Sequence, residues 1–225
     1  MDWSPLFLSL KVAGGATLLS LLIGAPIGYQ LARPRVRGRA GYEGMLLLPL
    51  VLPPSVLGYY LLVAFGRRSP LLSVIRHVTG IELHLVFTYP GIVLAALVVS
   101  LPLLARAVQA SFCVIDPDLP DAARTLGASE WQVFRYVALP LARPGLIAGI
   151  GLAFARALGD FGATLMVAGD IPGETQTMPL AVYDAINIQS RQGDYTATVY
   201  VLLLSAICLL FSLLASRLGK QHDFA

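Results

Sequence analysis

The chain has 225 residues, of which 56% are hydrophobic and 13% are charged, and its mean hydropathy is +0.73. A soluble domain carries about 25% charged residues, so this composition excludes an ordinary soluble protein and indicates an integral membrane protein. The formal net charge of +3 does not call for a nucleic-acid partner, because membrane proteins collect basic residues in their cytoplasmic loops.

Four stretches are long and apolar enough to cross a membrane, since a spanning helix needs about 20 apolar residues. They are residues 12–32, 44–66, 85–105 and 195–216, and none contains a charge. A fifth stretch, at about 144–169, is interrupted by Arg156 and Asp160. The apolar runs are continuous rather than alternating, which favours helices over a barrel. The sequence therefore predicts an all-α membrane protein with about five transmembrane helices in a single domain, residues 1–225.

Basic residues concentrate in three of the segments that connect or follow the spans. They are Arg33, Arg35, Arg37 and Arg39, then Arg106, Arg124, Arg135 and Arg143, then Arg217 and Lys220. If these segments face the cytoplasm, five spans place the N-terminus outside and the C-terminus inside. Arg67, Arg68 and Arg76 then fall in an outer loop, against this trend.

The segment between the third and fourth spans is unusually polar for this chain. It reads "DPDLPDAARTLGASEWQVFRYVALPLARPG" over residues 116–145, and we call residues 116–143 the polar segment. A first short helix is predicted from Asp118 or Pro120, because acidic residues favour a helix N-terminus. Gly127 should end that helix in a left-handed turn, and Ser129 should cap a second helix. Leu139 and Pro140 are expected to stop it.

Two interpretations of the polar segment remain open from the residues alone. It is either a cytoplasmic loop that happens to be helical, or a compact docking element. Trp131, Phe134 and Tyr136 lie among polar positions of the second helix, and exposed aromatic residues of this kind suit insertion into a groove on a partner.

Arg156 and Asp160 are four residues apart, so a helix would place them on one face. Intramembrane charges are costly and are usually paired or functional. Either the two residues form a structural ion pair, or Arg156 meets a passing anion.

Further along, "MPLAVYDAINIQ" at residues 178–189 is too short to cross. Leu180, Tyr183 and Ile186 or Ile188 would form one apolar face. This pattern predicts an amphipathic helix that lies on, or dips into, the outer membrane surface.

The polar segment resembles the cytoplasmic coupling motif of binding-protein-dependent ATP-binding-cassette importers. Permeases of that family carry E-A-A, three residues, Gly, and an aromatic-containing helix that ends Leu-Pro. This chain has Asp121, Ala122 and Ala123, then Gly127 after three residues, and Leu139 and Pro140 at the end. Asp121 stands where Glu is usual.

A wider resemblance covers residues from about 9 to 218. The stretches "LPLVLPPSVLGYYLLVAFGRRSPL" (48–71) and "FARALGDFGATLMVAGDIPGETQTMPLAVY" (154–183) are similar to molybdate (and tungstate) permease subunits. Sulfate and thiosulfate permeases share much of the second stretch, whereas "LVLPPSVLGYYLL" and "GRRSPL" fit the molybdate branch better.

This resemblance implies a permease of the bacterial inner membrane that works as a homodimer, with two cytoplasmic ATPase subunits and a periplasmic oxyanion-binding protein. ATP and Mg would be held by the ATPase, since no G-x-x-x-x-G-K-S/T sequence occurs here, and the chain itself would bind no cofactor. The residues that would contact the ATPase or shape the docking element are Asp121, Ala122, Ala123, Gly127, Trp131, Phe134, Leu139 and Pro140.

The translocation route is expected to be lined by small and weakly polar residues, because a strongly charged cage would hold an oxyanion too tightly for release. The candidates are Pro53, Pro54, Ser55, Gly58, Arg156, Gly159, Asp160, Gly162 and Thr164. The alternative is that these prolines and glycines serve helix kinks and close packing.

Other classes of membrane protein fit the sequence less well. The histidines His77, His84 and His222 form no H-E-x-x-H zinc helix, which disfavours a membrane-embedded enzyme. A secondary transporter is typically longer and has inverted repeats, and a self-sufficient channel would not need a docking element.

Overall fold

A computed structural model describes residues 2–33, 38–66, 69–80, 82, 84–188 and 191–220, and within them every regular element is a helix. The elements are α1 (Ser4–Ala32), α2 (Arg39–Val51), α3 (Pro54–Phe65), α4 (Pro70–Thr79), α5 (Tyr89–Cys113), α6 (Asp118–Thr125), α7 (Glu130–Val133), a π-helical segment (Phe134–Ala138), α8 (Leu139–Leu158), α9 (Gly162–Ala168), α10 (Met178–Asn187) and α11 (Arg191–Lys220).

Four helical runs are long and apolar enough to cross a membrane. They are Ser4–Ala32, Tyr89–Cys113, Glu130–Leu158 and Gly193–Ala215. A fifth crossing is available if α2 and α3, which are bent by 107° relative to each other, are taken together. The predicted all-helical fold with about five spans is confirmed in this sense.

The predicted continuous second span, residues 44–66, is wrong because the chain breaks between α2 and α3. Leu52 has extended backbone angles (φ −69°, ψ 140°), and so does Pro53 (φ −54°, ψ 137°). A residue that precedes proline is driven away from the helical region by the proline ring, and here two prolines follow each other. The apolar run is therefore continuous in composition but not in structure.

The boundaries of the fourth span also differ from the expected 144–169. The helix does not stop at Leu139 and Pro140, because α7, the π-helical segment and α8 form one uninterrupted run. Proline clashes with the carbonyl four residues earlier in a regular α-helix. The wider π turn, in which the Leu139 N–H donates to the Phe134 carbonyl, accommodates Pro140. The run ends at Leu158, so Asp160 lies beyond the helix rather than inside it.

The centre of the bundle is α5, which packs between α1 and α8. Small residues bring these helices close together: a Cβ atom at Gly28 of α1 would lie 2.8 Å from the Val108 Cβ, and one at Gly149 of α8 would lie 2.7 Å from the Ala107 Cβ. Close backbone approach through small residues is the usual way in which membrane helices associate.

The helix α10 exists as predicted, but its apolar face is different. Leu180 is buried and faces the body of the protein, whereas Tyr183 and Ile186 are exposed on the other side. Met178 and Ala181 pack with Tyr200 of α11. The helix is therefore seated on α11 and α1 by its small and apolar residues.

The segment predicted as an outer loop, residues 67–84, contains the helix α4. Arg76 lies in its last turn. Arg67 and Arg68, whose position in that loop ran against the charge distribution, lie outside the described residues.

Candidate functional site

The polar segment folds as the predicted helix–glycine–helix. The first helix, α6, begins at Asp118 and ends before Gly127, which has a left-handed φ of +87°. The Gly127 N–H donates to the Arg124 carbonyl (2.9 Å) and the Ala128 N–H donates to the Ala123 carbonyl (3.1 Å). This pair of hydrogen bonds is the Schellman motif, so Gly127 makes the bend by local geometry alone.

The second helix of the segment starts at the predicted cap. The Ser129 hydroxyl accepts from the Gln132 N–H (3.4 Å), and the Gln132 side chain accepts from the Ser129 N–H (2.8 Å). This reciprocal capping box satisfies two otherwise unpaired backbone donors. Because the helix then continues into α8, the polar segment is joined to a candidate membrane span without a break.

The two short helices are braced against each other by Arg124. Its guanidinium donates to both carboxylate oxygens of Glu130 (2.6 and 3.2 Å) and to Asp121 (2.5 Å). These bonds, first to Glu130 and then to Asp121, raise the pKa of Arg124 above its ordinary value. Sequence reasoning missed this role of Arg124. The spacing of three residues between Asp121 and Arg124 could have predicted an ion pair within one helix. The contact of Arg124 with Glu130 could not have been predicted in this way, because it depends on the turn at Gly127.

Phe134 packs the polar segment against the helix bundle. Its ring lies 5.0 Å from that of Tyr29 in α1 and 6.2 Å from that of Phe112 in α5. The Trp131 ring stacks on Phe134 at 5.8 Å. The expectation that Phe134 is exposed is therefore wrong, because rings contributed by two distant helices cover it.

Large apolar side chains remain exposed on the polar segment. Their exposed fractions are 88% for Leu126, 70% for Tyr136, 65% for Trp131 and 49% for Leu119. Exposed aromatic residues are what the docking interpretation of the polar segment expects, and that interpretation stays a prediction. Of the other predicted docking residues, Asp121, Ala122 and Gly127 are exposed, whereas Ala123, Leu139 and Pro140 are partly buried.

The candidate route residues lie where α3 meets α9, near the break in the second span. Pro53, Pro54 and Ser55 are exposed at that break. A Cβ atom at Gly58 would lie 2.7 Å from the Met166 Cβ, and one at Gly162 would lie 2.9 Å from the Pro54 Cβ. The two glycines therefore allow α3 and α9 to touch. Whether this region lines a route stays a prediction.

Arg156 and Asp160 form an ion pair across the end of α8, with 3.5 Å between Arg156 Nη1 and Asp160 Oδ1. The other carboxylate oxygen, Oδ2, accepts from the Thr164 N–H (3.0 Å) and hydroxyl (2.8 Å). The Asp160 side chain is 1% exposed and that of Arg156 is 29% exposed. Asp160 thus ties α8 to α9 at a break that Gly159, which is exposed, helps to form.

An acidic pair is formed by Asp170, in the connection from α9 to α10, and Asp184 of α10. Burial raises the pKa of the Asp170 carboxyl; Gln176 opposes this shift, and the negative charge of Asp184 adds to it. The Gln176 amide donates to Asp184 (2.9 Å). Among the described residues, no group of three or more His, Cys, Asp or Glu is placed to hold a metal ion.

The sequence is similar to those of known transport permeases. Residues 17–221 match the family described as "Binding-protein-dependent transport system inner membrane component". The chain is 42% identical over 222 residues to the molybdenum transport system permease protein ModB of Escherichia coli (strain K12), covering 98% of this chain and 96% of that one. It is 35% identical over 207 residues to the sulfate transport system permease protein CysW of Synechococcus elongatus, covering 90% and 70%.

The fold is also similar to that of a solved transporter. The inward-facing MetNI methionine ABC transporter matches with a TM-score of 0.72 over 96% of this chain and 93% of that chain. Sequence identity is 18%, so this likeness concerns the fold alone.

Proposed function

The chain belongs to the family of binding-protein-dependent transport system inner membrane components, and we propose that it is the membrane-spanning permease subunit of an ATP-driven molybdate importer. The assignment of molybdate as the substrate rests on the 42% identity to a molybdenum transport permease over 98% of the chain. The all-helical fold with four to five candidate spans fits a translocation subunit.

The partner that supplies energy would dock on the exposed apolar face of the polar segment. Leu126, Trp131 and Tyr136 offer side chains that a groove on an ATPase could bury. Arg124 holds the two short helices in a fixed relation, which a force-transmitting contact requires. In this proposal ATP and Mg are bound by two ATPase subunits, and this chain contributes no catalytic residue.

The same proposal sets the orientation and the other partners. With the polar segment and its arginines on the cytoplasmic side, the N-terminus is outside and the C-terminus inside the bacterial inner membrane. Two copies of the permease would enclose one route between them. A periplasmic binding protein would deliver the oxyanion at the outer face, and closure of the ATPases would switch the permeases between outward-facing and inward-facing states.

The route itself is proposed to pass the break between α2 and α3. Pro53, Pro54 and Ser55 present weakly polar surface there, which suits transient contact with a dianion. Asp116, Asp118 and Asp121 would repel a dianion, so the polar segment is not the binding site. For Arg156 and Asp160 we favour the structural role, because Asp160 also accepts two hydrogen bonds from Thr164.

Sulfate import is the second candidate. It is favoured by the 35% identity to a sulfate transport permease, and both substrates are tetrahedral dianions. The identity to the molybdenum permease is higher and covers more of both chains, and for this reason molybdate is preferred.

Uptake by a reconstituted complex tests the substrate. Proteoliposomes that hold this chain, its ATPase and its binding protein should accumulate molybdate when ATP is supplied, and should not accumulate sulfate. Sulfate uptake at an equal rate would overturn the molybdate assignment and leave the importer class standing.

Co-purification tests the docking surface with a matched pair of variants. Trp131→Ala should lower the amount of ATPase that purifies with the permease. Trp3→Ala, which alters a tryptophan 48% exposed outside the polar segment, should not. An equal effect of both variants would contradict a specific docking role for Trp131.

A further inference from the structure

The two halves of the broken span are held in very different ways. Leu57, Gly58 and Leu61 of α3 are buried, and α3 packs closely on α9. In contrast, no residue of α2 is fully buried, and Leu46, Leu47, Pro49 and Leu50 are only partly buried. The position of α3 is therefore fixed by packing, while that of α2 needs another explanation.

A polar network at the start of α2 supplies that explanation. The Glu43 carboxylate accepts from the Gln109 amide of α5 at 2.6 Å and from Arg39 Nε at 2.7 Å. Arg106 Nη1 of α5 lies 3.4 Å from the same carboxylate. Two cations and one amide thus converge on a single side chain of α2, and such charge-assisted bonds are the strong ones.

The α5 side of the network is rigid. Gln109 is only 3% exposed. Its amide also donates to the Leu31 carbonyl at the end of α1 (3.3 Å), and its carbonyl accepts from Arg106 Nη1 (3.0 Å). The orientation of the Gln109 side chain is consequently set by its hydrogen bonds to α1 and α5. Glu43 of α2 binds to an amide that is already held in place.

We propose that Glu43 is a positioning residue of the transport cycle. Its carboxylate holds α2 on α5, and its release lets α2 turn about the break between Leu52 and Pro53 while α3 stays on α9. The inference rests on the proposed permease function. It goes beyond that function by naming α2 as the half of the broken span that moves, and the Glu43 network as the contact that controls the motion.

Two physical features favour this motion. Leu52 and Pro53 are extended, so no continuous helical hydrogen-bonding couples the orientation of α2 to that of α3. Leu46, Leu47, Pro49 and Leu50 of α2 are only partly buried, and in a membrane lipid can replace the apolar contacts that a displaced helix loses. The polar network therefore supplies the specific resistance to motion. Ion pairs are strongly distance-dependent and re-form readily, unlike an interdigitated core.

The test compares α2 positions in variants of the complete transporter. Spin labels at Met45 of α2 and Val114 after α5, both exposed, report the distance between the two helices once Cys113 and Cys208 are replaced by serine. Labelled permease is diluted with unlabelled permease, so that each distance arises within one protomer. The measurement needs no transported substrate, and it therefore stands even if the molybdate assignment fails.

Glu43→Gln should lower the ratio of the close to the displaced population about tenfold, the size of effect expected when an amide replaces a carboxylate between two arginines. The same variant should hydrolyse more ATP for each molybdate imported. The exchange Glu43→Gln with Gln109→Glu returns a carboxylate to the same network and should restore much of the close population.

The matched control is Glu82→Gln, which removes the partner of Arg76 in an exposed ion pair (3.1 Å) away from α2. It should leave the distances unchanged. If Glu43→Gln does not assemble, Glu43→Asp keeps the charge at a shorter reach and should show an intermediate shift. Unchanged distances in an assembled Glu43→Gln or Glu43→Asp transporter would overturn the proposal.

Discussion

The bend at Gly127 offers a graded test of coupling, because its backbone requirement can be varied without a steric clash. Its φ is +87°, and a Cβ atom built there would meet nothing within 4 Å. The cost of a side chain is therefore the backbone cost alone. We consider replacement by Asn, Ala and Pro in that order.

The expected magnitudes follow from the left-handed conformation. Asn tolerates it and should cost only a few tenths of a kcal/mol, whereas Ala should cost about 1 kcal/mol. Since about 1 kcal/mol changes a population roughly fivefold, Gly127→Ala should measurably depopulate the bent form. Gly127→Pro cannot reach a positive φ, and it also removes the N–H that donates to Arg124 (2.9 Å).

The assay is ATP-dependent molybdate uptake in proteoliposomes, with ATP hydrolysis measured in parallel. We expect coupling to fall from wild type through Asn and Ala to Pro, while the permease remains inserted in the membrane. Gly173→Ala is the matched control, since Gly173 has φ +80° and equally open space but lies outside the polar segment.

Two results would refute this reasoning. Normal coupling in Gly127→Pro would show that the bend is not required. Equal losses of coupling in Gly127→Ala and Gly173→Ala would show that the effect reflects general backbone strain rather than the geometry of the polar segment.

Four further variants have defined expectations. Phe134→Ala should lower the stability of the purified complex by about 2 kcal/mol, because a half-buried ring between α1 and α5 is lost; an unchanged thermal melt would contradict the anchoring role. Gly58→Ala should cost about 2 kcal/mol through overpacking against α9, while Gly44→Ala, with nothing within 4 Å, should be neutral or stabilising in the same melt. Arg156→Ala should cost about 3 kcal/mol by leaving a buried carboxylate unpaired, and its assembly is measured by size-exclusion chromatography; an intact assembly that lacks uptake would instead support a role in transport. Asp170→Asn should stabilise the protein at neutral pH, because burial raises the pKa of Asp170 and so disfavours its ionised form in the folded state. The gain should vanish at a pH below the ordinary pKa of an aspartate, where the carboxyl is neutral in both states. Thermal melts at neutral and at acidic pH measure the difference.

Local signals in the sequence were sufficient where a few neighbouring residues decide the structure. Gly127 and Ser129 are such cases, since a helix end and a helix cap are formed by residues close along the chain. Long apolar windows likewise identified the spanning helices. These features need no knowledge of distant contacts.

The break in the second span could not be placed from composition. Prolines also occur inside α1, α5 and α8 (Pro26, Pro102 and Pro144) without breaking those helices. The second span differs from these helices because two prolines, Pro53 and Pro54, follow each other at the break, and a count of apolar residues does not register that doublet.

The same limit applied within the candidate site. Trp131 and Phe134 are both aromatic residues on a polar helix, and the sequence assigned both to docking. The two rings stack on each other, but Trp131 is exposed, whereas Phe134 is partly buried by Tyr29 of α1 and Phe112 of α5. Likewise, Glu43 and Gln109 are 66 residues apart, and no local pattern connects them.

The uninterrupted helical run Glu130–Leu158 has a mechanical consequence. Its 29 residues make a rod about 44 Å long at 1.5 Å per residue, so a tilt of about 10° at one end displaces the other by about 8 Å. The rod carries Trp131 at its first turn and Arg156 at its last. If a partner rotates the polar segment, a helix of this length would convert a modest rotation into a displacement at the opposite end that is larger than the radius of a tetrahedral oxyanion.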